Sequence, residues 1–232
     1  LQQGDVSREQ AIEWLEDLRY QWRGDRFELM VLRRLGELYL EEDDYRPSFE
    51  MFLANIERVP QRLPVVAGRL ESVCRTQGTK ALQTLQALSF ERPLFVAQLI
   101  ASCALAAGDP ESGLTGLHGL AGQDVEHLFQ YAARAEAMGY AETAGRAYAL
   151  FAERRPDSPY RYQALSRQAA LTAREDSDTA LELYRRLVRD FPNRPETLQM
   201  LVGMARLQLE HNGDIEEAIS SLQSVIDSPR RG

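Results

Sequence analysis

Lysine is nearly missing from this chain: Lys80 is the only one among 27 basic residues, the rest being arginine. The 35 acidic residues outnumber the basic ones and leave a net charge of −8. Without a basic surplus, general affinity for nucleic acid or for an anionic membrane surface is not expected. Long apolar runs are also missing. The most apolar stretch, Leu94 to Ala107, has the length of a buried core helix and falls short of the roughly 18–20 residues that span a bilayer. No signal peptide or lipidation motif is visible. The chain starts at Leu1 and reads as part of a longer polypeptide.

Cysteine and histidine are equally scarce. Two cysteines, Cys74 and Cys103, are too few for a disulfide scaffold or a four-ligand metal site. Both fall in expected first helices of neighbouring units, so a bridge is conceivable, but two small buried apolar side chains are the ordinary expectation. The three histidines, His118, His127 and His211, have no partner at i, i+4 and no cysteine nearby, so no metal site is expected. There is no P-loop, no G-x-G-x-x-G after a strand and no nucleophile signature. The run Glu41-Glu42-Asp43-Asp44 sits at a turn, where a solvated acidic loop is expected. No residue is singled out as catalytic, cofactor-binding or metal-binding, so an enzyme is not expected.

What is present is a repeat. Leu35 to Pro60 reads LGELYLEEDDYRPSFEMFLANIERVP. Small Gly36 stands three residues before aromatic Tyr39; after an acidic turn, small Ser48 stands four before large Phe52, and Pro60 closes the run. The small position of each second helix recurs at Ala11, Ser48, Ala81, Gly113, Ala144, Ala180 and Ala218, at intervals of 37, 33, 32, 31, 36 and 38 residues. A large apolar residue follows each by four, at Leu15, Phe52, Leu85, Leu117, Tyr148, Tyr184 and Leu222. Small against large at this spacing lets one helix approach another closely and then fill the groove between them.

This spacing predicts an all-α chain of antiparallel helix pairs forming a single array over 1–232. A half unit at 1–21 precedes complete hairpins at about 26–60, 61–93, 94–122, 124–156, 158–192 and 195–229. Asp5 or Ser7 is expected to cap the first helix, and Trp14 to pack against the next unit. Gly108, Gly139 and Gly213 mark turns, with Gly139 as a left-handed helix cap. Pro156 and Pro192 close the fourth and fifth hairpins. Gly113, Gly116 and Gly119 each cost up to about 1 kcal/mol of helix propensity, so that helix is expected to be short or weak. Both ends stop inside the pattern without a polar capping helix, so further repeats are expected on each side.

The L-G-x2-Y, small-x3-F, P pattern on a period near 34 residues resembles the tetratricopeptide (TPR) repeat. That resemblance implies a right-handed superhelical α-solenoid with a concave groove lined by first helices, and hence protein partners. Groove positions off the packing stripe are Arg33, Glu37, Phe129, Ala133, Glu136, Tyr162 and Glu210. The Lys/Asn/Arg clamp of chaperone-binding TPR proteins is missing, so capture of a carboxy-terminal peptide is not expected. Among TPR proteins, the segments LGELY, GYAETAGRAYALFAERRPDSP and DTALELYRRLVRDFPNRPETL resemble the periplasmic scaffolds of Pel-type bacterial exopolysaccharide exporters. The resemblance implies a periplasmic segment of an outer-membrane-associated protein whose parent carries a barrel. It further implies a polysaccharide deacetylase or hydrolase and a cationic polysaccharide as partners. A cytoplasmic assembly scaffold and a peptide-binding adaptor are the alternatives.

Overall fold

The computed structural model describes residues 6–21, 26–58, 63–88, 93–119, 125–192, 194–212 and 215–226. Asp5, Pro60 and Gly213 lie outside the described residues. The described residues form helices and turns with no strand, and they divide into two compact units, Leu1–Gly116 and Leu117–Gly232.

The first unit contains α1 (Arg8–Gln21), α2 (Arg26–Glu41), α3 (Tyr45–Arg58), α4 (Leu63–Gln86) and α5 (Pro93–Ala107). α6 (Pro110–His118) ends just beyond it. Ser7 starts α1 as half of a reciprocal cap: its hydroxyl accepts from the Gln10 amide and its own amide donates to the Gln10 side chain. Ile12, Leu15 and Leu18 form the packing face of α1, against Val31, Leu32, Leu35 and Met51. Trp14 lies off that stripe and is 56% exposed, so the expected packing against the next unit does not occur.

α2 and α3 are joined at the acidic turn, where Asp43 takes a left-handed φ of 57° and accepts a 2.7 Å bond from the Tyr45 hydroxyl. The turn is exposed, but Arg8 reaches it, 3.2 Å from Glu41 and 3.4 Å from Glu42. α4 covers the stretch expected to hold two helices, and its one non-helical residue is Gln77 (φ −132°, ψ 35°). Next to it Gly78 lies against α5, where a Cβ would come 2.7 Å from the Ala107 nitrogen.

Cys74 in α4 and Cys103 in α5 are joined by a disulfide, with Cα atoms 4.5 Å apart. This corrects the expectation of two unbridged apolar side chains. Both residues are fully buried, and such close helices bring the side chains within bonding reach. α6 carries Gly113 and Gly116 and, at 9 residues, is the shortest α-helix among the described residues.

The second unit contains α7 (Glu126–Ala137), α8 (Ala141–Arg154), α9 (Arg161–Thr172), α10 (Ser177–Asp190), α11 (Thr197–Leu207) and α12 (Ile215–Ile226). A π turn, Gln208–Asn212, extends α11. Gly139 ends α7 with φ 88°, and its amide donates to the Glu136 carbonyl. Asp176 caps α10, accepting from the Thr179 amide and hydroxyl. Ala144 and Ala180 are fully buried, and Tyr148 and Tyr184 are buried beside them.

Candidate functional site

In the second unit α7, α8 and α9 enclose a groove of about 420 Å³, lined by Phe129, Ala133, Glu136, Tyr148, Arg167 and Arg174, among others. Helical periodicity builds it. Phe129, Ala133 and Glu136 follow one another at i, i+4 and i+7 on α7, Gln163 and Arg167 stand one turn apart on α9, and Arg174 lies in the turn after it.

Glu136 is the hub. One carboxylate oxygen accepts a 3.1 Å bond from the Tyr148 hydroxyl, and the other accepts from Arg167 at 3.3 Å. Tyr148 is buried, and its phenol is pushed well above the ordinary tyrosine range, first by burial and then by the Glu136 carboxylate. It therefore stays a neutral donor, fixing the carboxylate at the groove wall. Phe129 is half-buried, its ring centroid 5.5 Å from Tyr148, 5.3 Å from Phe151 and 5.4 Å from Tyr160. Its place in that aromatic cluster fixes the ring while one side lines the groove. Arg174 is exposed at the groove. The arrangement suits recognition of a partner surface.

The remaining candidates lie elsewhere. Tyr162 is only 6% exposed, edge-on to Phe191 at 5.3 Å with the Arg194 guanidinium 5.0 Å from its ring, so it belongs to the core and offers a partner almost no area. Glu210 is exposed on the π turn and bonded to Arg206 at 2.7 Å. Arg33 and Glu37 belong to the first unit and pair with each other at 3.0 Å on α2, where Arg34 also reaches Glu37 at 3.5 Å. Such exposed i, i+4 pairs contribute little to stability.

Gln163, Arg167 and Arg174 line the groove and were not foreseen. The signal was available for the first two: carrying the helical face of α7 onto the next first helix selects Gln163 and Arg167. His118 contacts Arg154 through its ring nitrogen at 3.3 Å and its carbonyl at 3.2 Å. Among the described residues no three His, Cys, Asp or Glu side chains converge as a metal site. No helix among them is long and apolar enough to cross a membrane.

The family model for the tetratricopeptide repeat matches residues 162–194 and 199–229. The chain carries TPR repeats. No curated protein matches it. Among solved structures, a kinesin light chain-like protein of Podosopora anserina, built of nearly identical TPR-like repeats, is similar at 15% identity. That alignment covers 75% of this chain and 99% of the other, with a TM-score of 0.42. BtubC from P. vanneervenii is similar at 15% identity over 96% of this chain and 91% of its own, with a TM-score of 0.40. The C-terminal part of a TPR protein from Cytophaga hutchinsonii gives 15% identity over 96% and 92%, with a TM-score of 0.39.

Proposed function

We propose that the chain is a non-catalytic protein–protein interaction scaffold of the bacterial envelope, and that the α7–α9 groove holds its partner. The partner on this reading is a polysaccharide-modifying enzyme, a deacetylase or hydrolase, kept close to an exopolysaccharide on its way to an outer-membrane porin. The observation that carries the binding role is the Glu136 hub. A carboxylate fixed by Tyr148 and Arg167, beside the half-buried Phe129 ring, is a pre-organised polar and aromatic surface of the kind that anchors interfaces. The buried Cys74–Cys103 disulfide supports an oxidising compartment such as the periplasm, and is unusual for a cytoplasmic scaffold. The net charge of −8 suits passage of a cationic polymer.

Affinity capture from an envelope extract tests the reading. The wild-type chain recovers a polysaccharide deacetylase or hydrolase, and Glu136→Arg or Arg174→Glu loses it while the circular dichroism spectrum is unchanged. Recovery of cytoplasmic proteins alone, or equal recovery by both variants, refutes it.

A further inference from the structure

The residue after the small position of each second helix is Ile12, Phe49, Leu82, Leu114, Gly145, Leu181 and Ile219 in turn. Six are large and apolar, and α8 alone carries glycine there. Phe49, Leu82, Leu114 and Leu181 are 0%, 6%, 2% and 3% exposed, and Ile12 packs against the core of the first unit. Ile219, half exposed, is the exception. The side chain at this point is therefore ordinarily spent inside the fold. In α8 it is missing.

The neighbouring helices do not close over the gap. Gly145 is buried, yet a Cβ there would meet nothing within 4 Å. A hollow of about 240 Å³ opens at this point, lined by Gly145 and Ala149 of α8 and by Gln168 and Leu171 of α9, among others. Helix packing normally fills such a place with side chains at crystal-like density. The charges around the hollow are one-sided. Glu142 and Glu175 line it, both exposed, and Asp176 joins them from its place as the cap of α10, against the guanidinium of Arg146.

We infer that the Gly145 hollow is a socket for a leucine-sized apolar side chain of a partner protein, carried on an extended segment with lysine or arginine beside it. The incoming side chain takes the place of the one that α8 lacks, and its removal from water against Ala149 and Leu171 drives the contact. The cation answers the carboxylates of Glu142 and Glu175. Gln168 brings an amide with both donor and acceptor, which suits the free N–H and C=O of an extended backbone and not the paired ones of a helix. The hollow shares no lining residue with the Glu136 groove, so the inference stands apart from the envelope reading.

The test titrates the chain with a blocked glycine tetrapeptide carrying one leucine and one lysine, followed by the amide chemical shifts of the protein. Saturable shifts at Gly145, Ala149 and Gln168 are expected, with affinity about tenfold weaker when alanine replaces the leucine. Gly145→Leu supplies the side chain that the other repeats carry. It is expected to melt several degrees higher than the wild type and to lose the response to the peptide, so lost binding is not lost folding. Glu142→Lys checks the charge without touching the packing: it weakens the lysine peptide and favours one with glutamate in place of lysine. Glu136→Arg, in the other groove, leaves the titration unchanged. No saturable response, an equal response to the alanine peptide, binding retained by Gly145→Leu, or no change of preference in Glu142→Lys overturns the inference.

Discussion

The Ser48 hydroxyl donates a 2.8 Å hydrogen bond to the Gly36 carbonyl, and the Phe52 ring lies where a Gly36 side chain would begin. The two small residues thus mark one contact between α2 and α3. Glycine lets the ring in, and serine ties the two helices by a second bond to a carbonyl that the helix itself already pairs. A Cβ on Gly36 would meet the ring at 3.0–3.1 Å, and Phe52 is too tightly buried to retreat. Gly36→Ala is therefore expected to lose roughly 1–3 kcal/mol by overpacking. Ser48→Ala is expected to lose about 0.5–1.5 kcal/mol, the net worth of one buried hydrogen bond. Urea denaturation of both variants checks this, and wild-type midpoints would remove the contact from the account.

Gly145 makes the opposite case. It is a buried glycine in the middle of α8, yet a Cβ there meets nothing within 4 Å. Gly145→Ala is expected to gain about 0.5–1 kcal/mol of helix stability with no packing penalty. A destabilised Gly145→Ala, measured by the same titration, would mean that the hollow beside Glu142 and Gln168 is filled in solution.

These two glycines show what could be read in the letters. The small-then-large rhythm placed Ser48, Ala81, Ala144, Ala180 and Ala218 at buried contacts, because a close helix crossing tolerates few residue types. It could not say which aromatic lines a groove. Phe129 and Tyr162 look alike in their first helices, and only the arrival of Phe191 and Arg194 on Tyr162 buries it. Trp14 was misplaced because a hydrophobic residue one step off the stripe faces water whatever its size. The Cys74–Cys103 bridge depended on the close approach of α4 and α5 at Gly78, a distance that spacing along the chain does not encode.

That bridge closes a loop of 29 residues in sequence and removes chain entropy from the unfolded first unit. Loops of this size are expected to add about 2–4 kcal/mol. The paired Cys74→Ala, Cys103→Ala variant, or the wild type in reductant, is expected to lose that amount. Hydrogen exchange localises the effect: amides of α4 and α5 open more readily, and those of α8 to α10 do not change. A uniform loss of protection would show that the first unit is not an independent folding unit.

The packing of α7 against α8 makes a further demand. Ala144 is fully buried opposite the first helices of its unit, and Ala180 holds the same position one repeat later. Replacing either by leucine adds three carbons where no space remains, at an expected cost of roughly 1–3 kcal/mol each. The two sites lie in different hairpins, so the double variant is expected to lose the sum of the two. Thermal unfolding of the singles and the double decides it.

Alkaline stability follows from two phenols in the first unit. Tyr39 donates to Glu16 at 2.9 Å, and its pKa is pushed up to about 12, first by burial and then by that carboxylate. Tyr45 donates to Asp43 at 2.7 Å and is also pushed up to about 12, again by burial first. In the unfolded chain both titrate near 10. Below pH 10 both states carry the proton, and the stabilisation is fully present. Between pH 10 and 12 the unfolded chain releases protons that the folded one keeps, so stability falls as pH rises. Chemical denaturation at pH 9 and pH 11 is expected to show this loss in the wild type and a shallower one in Tyr39→Phe and Tyr45→Phe. Phenylalanine keeps the apolar ring and has no proton to release, so an equally steep fall in both variants would assign the alkaline loss to other groups.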